Sequence, residues 1–182
     1  MQRYERRPSV ARRKYIRLRG HDYSEPGAYV ITICTADRRS WFGHIENGEM
    51  VLSRAGTTAG MQWRSLESRF PTIELDANIV MPNHVHGIVI LGAKPEPDPV
   101  TDRKPISLWE VVRVFKAATS RLVRVGGDPT FEWQRGYHEH VVRNDRELIT
   151  FRGYIDIEGN RECGSWTARI LCADHAHAWP AR

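Results

Sequence analysis

The chain has 182 residues, 41% hydrophobic and 27% charged, a balance that excludes collagen-like and low-complexity chains and suits one soluble globular domain with a real core. Its formal net charge of +5 is unevenly spread: residues 1–20 carry seven Arg and one Lys against one Glu, a local +7 that leaves −2 on the remainder. No apolar run reaches membrane-spanning length, and three cysteines (Cys34, Cys163, Cys172) without a leader-like segment point to a reducing, cytoplasmic setting with no membrane partner.

After the basic arm, Ala28–Thr35 is rich in β-branched and aromatic residues and reads as a buried strand. Trp41–Ile45 and Glu49–Leu52 bracket Asn47-Gly48, a dipeptide suited to the positive φ angles of a tight hairpin turn. Over residues 54–69 the period changes: Ala55, Ala59, Gln62/Trp63, Leu66 and Phe70 form one helical stripe, which Pro71 ends. Ile73–Met81 and His84–Leu91 read as two strands joined through Pro82-Asn83, hence an antiparallel pair. Four prolines within residues 92–105 predict an extended loop. Ser107 and Glu110 have the spacing of a capping box for a helix to about Arg124, with Leu108, Val111, Val112, Phe115 and Leu122 inward. Phe131–Trp133 and Tyr137–Val142 are strand pieces, and a last helix runs from near Asn144 to about Glu158. With the hairpin set aside as an insertion, the order is β-α-β-β-α-β plus a C-terminal helix. That is an α+β fold, the ferredoxin-like antiparallel sheet with helices on one face.

The most informative segment is Met81–Leu91. His84 and His86 flank one apolar residue, so both rings project from the same side of a strand and can share one metal ion. Alone, such a pair is more often packing than ligation, and the chain has two more, His138/His140 and His175/His177. The first differs because it opens an apolar run, where an imidazole without a polar partner is costly to bury. His138/His140 sits in a more polar stretch that suits a solvated strand face.

On the last helix, Leu148, Phe151 and Ile155 form the packing stripe, with Tyr154 beside it and Glu158 one turn further on. By themselves these two are an ordinary helix tyrosine and a solvated acid. Next to a two-histidine site they complete a chemistry, a phenolic nucleophile and an oxygen donor.

Four segments then carry a resemblance: YIRLRGHDYSEPGAYVITICTADRRSWFG, IELDANIVMPNHVHGIVIL, SLWEVVRVFKAATSRL and WQRGYHEHVVRNDRELITFRGYI. In this order, over roughly residues 14–155, the chain resembles the REP-associated tyrosine transposases, a branch of the single-tyrosine HUH transposases (the IS200-like family). The resemblance implies an HUH-type nuclease core in which His84 and His86 are metal ligands and Tyr154 is the nucleophile. It further implies a divalent metal, Mg²⁺ or Mn²⁺, as cofactor. The partner would be single-stranded or hairpin DNA, cleaved and rejoined at hairpin-forming repeats through a covalent 5′-phosphotyrosine. Where the family has Asn-Pro after the tyrosine, this chain has Glu158-Gly159. A carboxylate oxygen also suits Mg²⁺ or Mn²⁺, so Glu158 is the candidate third ligand.

The expected organisation is a basic N-terminal arm (1–20), a catalytic domain (21–158) and a divergent C-terminal tail (159–182), whose Cys163, Cys172, His175 and His177 match no standard zinc spacing. Arg12, Arg13, Lys14 and Arg17 of the arm are candidate phosphate contacts, and Lys116, which matches a family lysine, is a candidate DNA contact or a solvated helix lysine. Trp41, Trp133 and Tyr137 are either stacking platforms for bases or core. The alternative reading is a DNA-binding protein descended from such a transposase that has lost catalysis. An Fe(II) oxygenase built on two His and one Glu fits less well, because the chain lacks the many short strands of such enzymes.

Overall fold

The computed structural model describes residues 20–93 and 105–158, with side chains as far as Asp156. The basic arm with Arg12, Arg13, Lys14 and Arg17, most of the proline-rich segment and the tail lie outside the described residues.

Four strands form the main sheet: β1 (Gly27–Cys34), β4 (Ile73–Met81), β5 (His84–Leu91) and β6 (His138–Val141). Their order across the sheet is β4-β5-β1-β6, and every neighbouring pair is antiparallel. Counted without the hairpin, this is the ferredoxin-like arrangement. The hairpin strands β2 (Gly43–Glu46) and β3 (Glu49–Leu52) pair separately. Asn47 and Gly48 make their turn at φ of 52° and 83°, the conformation for which that dipeptide is suited.

The helical segment expected over 54–69 divides into α1 (Arg54–Arg64) and α2 (Leu66–Arg69). Ser65 lies at the break, where its hydroxyl donates back to the Gln62 carbonyl at 2.9 Å and competes with helix continuation. The next helix, α3, spans Leu108–Val125, and the Ser107 hydroxyl accepts from the Glu110 amide as the capping pattern requires. Its buried stripe turns onto Thr119 and Val123 rather than Leu122, which is 44% exposed. The stripe continues the 3.6-residue period from Val112 and Phe115, which Leu122 leaves by one position.

Helices α1 and α3 share one face of the sheet, with Trp63 and Phe115 edge-to-face at 5.4 Å above Tyr29, Ile31, Val85 and Val89. The last helix, α4 (Asp145–Glu158), covers the opposite face through Phe151 and Ile155, which pack with Ile88, Val30 and Ile79. The expectation of helices on one face therefore describes the two crossover helices, and the C-terminal helix adds a third layer. Both faces of β5 are thus buried, and the strand is almost wholly inaccessible.

Close packing on the α1 side depends on Gly87. A Cβ at this position would fall 2.2 Å from Trp63 Cζ2, in the middle of a rigid ring. Gly87→Ala is expected to lower stability by about 1–3 kcal/mol through overpacking, measured as the loss in urea unfolding free energy.

Candidate functional site

The register explains which side chains meet. On β5, His84 and His86 share the face of Ile88, so they point to the α4 side, while Val85, Gly87 and Val89 point to α1 and α3. Across the sheet, Thr32 and Cys34 of β1 stand opposite His86 and His84. Because directly paired residues project to one side, these four residues form a single patch beneath α4.

Both imidazoles are buried, His84 to 3% and His86 to 1% exposure. Their ring centroids are 4.5 Å apart and the planes nearly perpendicular, at 77°. Each Nδ1 has a neighbour: His84 Nδ1 lies 2.6 Å from Asn83 Oδ1, and His86 Nδ1 lies 2.8 Å from Thr32 Oγ1. An amide oxygen only accepts, so His84 donates from Nδ1, and its neutral ring has the lone pair on Nε2. The Thr32 hydroxyl accepts equally well, which permits the same tautomer in His86. An Nδ1–H held by an oxygen, with Nε2 as donor atom, is the usual arrangement of a metal-binding histidine. The donor set thus suits a transition metal or a hard divalent ion supplemented by oxygen.

Tyr154 reaches this patch from α4. Its ring centroid lies 5.9 Å from that of His86, at 73°. Phe151 and Ile155 fix the phase of the helix, placing Tyr154 on the flank toward the histidines. Two further contacts hold α4 in place. At its start the Asn144 side chain accepts from the Glu147 amide at 2.9 Å, while the Glu147 carboxylate accepts from the Arg143 amide at 2.7 Å. That second bond holds the Glu147 carboxyl below its usual pKa. In mid-helix, Arg152 places Nε and Nη2 2.8 and 2.7 Å from Asp76 Oδ2. Asp76 sits at the bulge where β4 slips register between Leu75 and Asn78, on the α4 side of the sheet opposite Leu75.

The side chain of Glu158, the candidate third ligand, lies outside the described residues. Its backbone ends α4 one turn beyond Tyr154. Among the described residues, no group of three or more His, Cys, Asp and Glu gathers around a point.

Three residues that sequence reading missed now belong to the site: Thr32, Asn83 and Asp76. Only Asn83 carried a signal, as part of MPNHVH; Thr32 and Asp76 needed the register. The second histidine pair also changes character. His138 is paired with Thr32 and His140 with Val30, so both lie on the α4 side. His140 is half-buried rather than fully solvated: its ring lies 5.0 Å from that of Phe151, tilted by 51°, and its Nε2 is 3.5 Å from Glu147.

Lys116 belongs to the opposite side of the sheet. Its ammonium donates to the carbonyls of Gln134 and Gly136 at 2.7 and 2.9 Å, fastening the loop that leads into β6. Trp133 is packing, with Nε1 donating to the Lys116 carbonyl and its ring against Phe42, Phe115 and Phe131. Trp41 and Tyr137 are partly buried against the same core.

No protein-family profile matches the chain. An uncharacterized protein of Haemophilus influenzae is 31% identical over 160 residues, covering 80% of this chain and 87% of that one. Among solved structures, a REP-associated tyrosine transposase bound to a REP hairpin superposes with a TM-score of 0.53 at 22% identity, covering 86% of this chain and 72% of that one. The resemblance read from the motifs is thus borne out at the level of the fold. No helix among the described residues is long and apolar enough to cross a membrane.

Burial pushes the Lys116 ammonium down to about 8, with the Cys34 sulfur opposing the shift. The native chain therefore binds this proton less tightly than the unfolded one, and stability from this group rises with pH between about 8 and the ordinary lysine range. The urea midpoint of the wild type, compared with that of Lys116→Met, is expected to improve between pH ~7 and ~9.5.

Proposed function

We infer that this chain, which belongs to one family with the Haemophilus influenzae protein and has the fold of the REP-associated tyrosine transposases, cleaves and rejoins single-stranded DNA. The observation that carries this reading is the convergence on one sheet face of two buried, Nδ1-anchored imidazoles and a tyrosine ring 5.9 Å from one of them. The solved transposase holds a REP hairpin, and a single strand next to a hairpin is the substrate class proposed for this chain.

Tyr154 is the nucleophile in this reading. Its phenolic oxygen bonds to the scissile phosphorus, the bond from phosphorus to the 3′ oxygen breaks, and the phenolic proton is made good on that oxygen through solvent. The products are a 5′-phosphotyrosine and a free 3′-hydroxyl. Reversal with another 3′-hydroxyl rejoins a strand without an external energy source, since the linkage conserves the phosphodiester bond energy.

His84 and His86 would hold a divalent ion through Nε2, with Glu158 as the proposed oxygen donor; such an ion, Mg²⁺ or Mn²⁺, would supply charge neutralisation at the phosphate and favour the phenolate of a group whose ordinary pKa is about 10. Thr32 and Asn83 hold the two rings in the required tautomer. Arg152, through Asp76, keeps α4 and hence the phenol at a fixed height over the sheet. Arg12, Arg13, Lys14 and Arg17 of the arm supply phosphate-binding charge. Lys116 acts by fastening the loop before β6 rather than by touching DNA.

The test is incubation with labelled single-stranded hairpin oligonucleotides and Mn²⁺, followed by a denaturing gel. A covalent protein–DNA band is expected, abolished in Tyr154→Phe and reduced at least ~100-fold in His84→Ala. Specific binding without a band in the unaltered chain would instead favour the DNA-binding protein that has lost catalysis.

A second measurement addresses the ring anchors. Thr32→Val removes the acceptor at His86 Nδ1 with little change of shape. It is expected to weaken Mn²⁺ binding by about 10–100-fold in calorimetric titration. Equal affinity in the two proteins would remove Thr32 from the site.

A further inference from the structure

The connection after β1 is strained. Asp37 and Arg38 both have left-handed backbone, with φ of 53° and 54°, a conformation that L-residues keep only where neighbours impose it. Those neighbours are identifiable. The Thr35 hydroxyl donates to the Arg39 carbonyl at 2.7 Å, and Asn83 Nδ2 donates to the Arg38 carbonyl at 3.3 Å. The same Asn83 holds His84 Nδ1 through its Oδ1. One amide thus joins the strained turn to a residue of the imidazole pair.

The strain displays charge. Asp37, Arg38, Arg39 and Ser40 are all exposed, in a segment whose base is bonded to the turn carrying His84, since the Thr35 amide donates to the Asn83 carbonyl at 2.9 Å. The Arg39 guanidinium carbon lies 4.3 Å from the centre of the Trp41 ring. A stacked guanidinium is held in orientation, and its N–H edge is presented to planar or tetrahedral oxyanions. Asp37 is the one acid of the run, so the turn keeps a net positive charge.

We propose that the turn Asp37–Trp41 is a phosphodiester grip, with Arg38 and Arg39 each taking a backbone phosphate of the strand beside the one held at His84 and His86. The inference rests on the single-stranded-DNA reading and gives it a binding segment outside the basic arm. Through Asn83, seating of the strand on the turn and the orientation of His84 become linked.

The test uses the full chain carrying Tyr154→Phe, which forms no adduct, and the anisotropy of a labelled single-stranded oligonucleotide titrated across NaCl concentrations. Each phosphate contact on a single strand contributes about 0.7 to the slope of log affinity against log salt, so Arg38→Ala with Arg39→Ala should lower the slope by about 1.4 and weaken binding roughly 10-fold at low salt. Arg38→Lys with Arg39→Lys should keep the slope, and Asp37→Asn should tighten binding. An unchanged slope in the alanine pair overturns the grip, as does equal loss in the alanine and lysine pairs. The chain with Tyr154 intact separates the two readings. Adduct formation with an unmoved slope removes the grip alone, and a lowered slope with no adduct removes the catalytic reading alone.

Discussion

The structure depends on the burial of two imidazoles in the middle of a sheet. Polar rings in such a position cost free energy unless each is hydrogen-bonded, and the cost rises with the dryness of the site. Here one partner is local, Asn83, and one is remote in sequence, Thr32 on the neighbouring strand. The second bond needs the β1–β5 register that sets Thr32 against His86. A slip by one residue would send the histidines to the apolar face under Trp63 and leave both rings among hydrocarbon. The cross-strand bond that holds the His86 ring thus also penalises the wrong register, and the fold and the imidazole pair share one constraint.

The residue between the histidines and the one after them complete this division of labour. Val85 and Gly87 face the other way, where Val85 fills the core and Gly87 leaves room for the indole of Trp63. The segment MPNHVHG therefore reads as two interleaved lists. Asn83, His84 and His86 serve the α4 side, while Val85 and Gly87 serve the α1 side. The tyrosine is added by a separate element, whose position is set by a cap, a packing stripe and the Asp76–Arg152 pair. The ion pair is partly exposed and contributes little to stability by itself. Its role is geometric, because it ties mid-helix to the bulge in β4, one strand away from the histidines.

Much of this was legible in sequence. The strands Ile73–Met81 and His84–Leu91 have the limits read from the chain, because Pro82-Asn83 separates two stretches with strand patterning. The α+β order and the alignment of Tyr154 with the stripe of α4 were equally readable, since period and capping are local. What escaped was non-local. A threonine in a β-branched strand gives no hint that a histidine 54 positions away will sit on its hydroxyl. The break at Ser65 depends on a side chain choosing its own backbone, and the exposure of Leu122 depends on where α3 meets the sheet. His138 and His140 looked like surface residues because their neighbours are polar, yet β6 pairs with β1 so that both turn under the third layer.

Lys116 shows how the same logic redistributes charge. A lysine in a chain with a basic N-terminal arm invites a phosphate contact, but this half-buried ammonium is already committed to two carbonyls. Moving it to a phosphate would release the loop that delivers β6 to the edge of the sheet, and β6 carries His138 beside Thr32. The cation therefore serves the site from below, by holding the strand that flanks it. Positive charge for a polyanion then has to come from side chains that owe nothing to the fold. Arg38 and Arg39 meet that condition, because their carbonyls are fastened while their guanidinium groups project from an exposed turn. Lys116 and the pair Arg38 and Arg39 thus differ according to what holds the backbone around them: where a cation is itself the fastener it is lost to recognition, and where an amide or hydroxyl does the fastening the cation is left to bind.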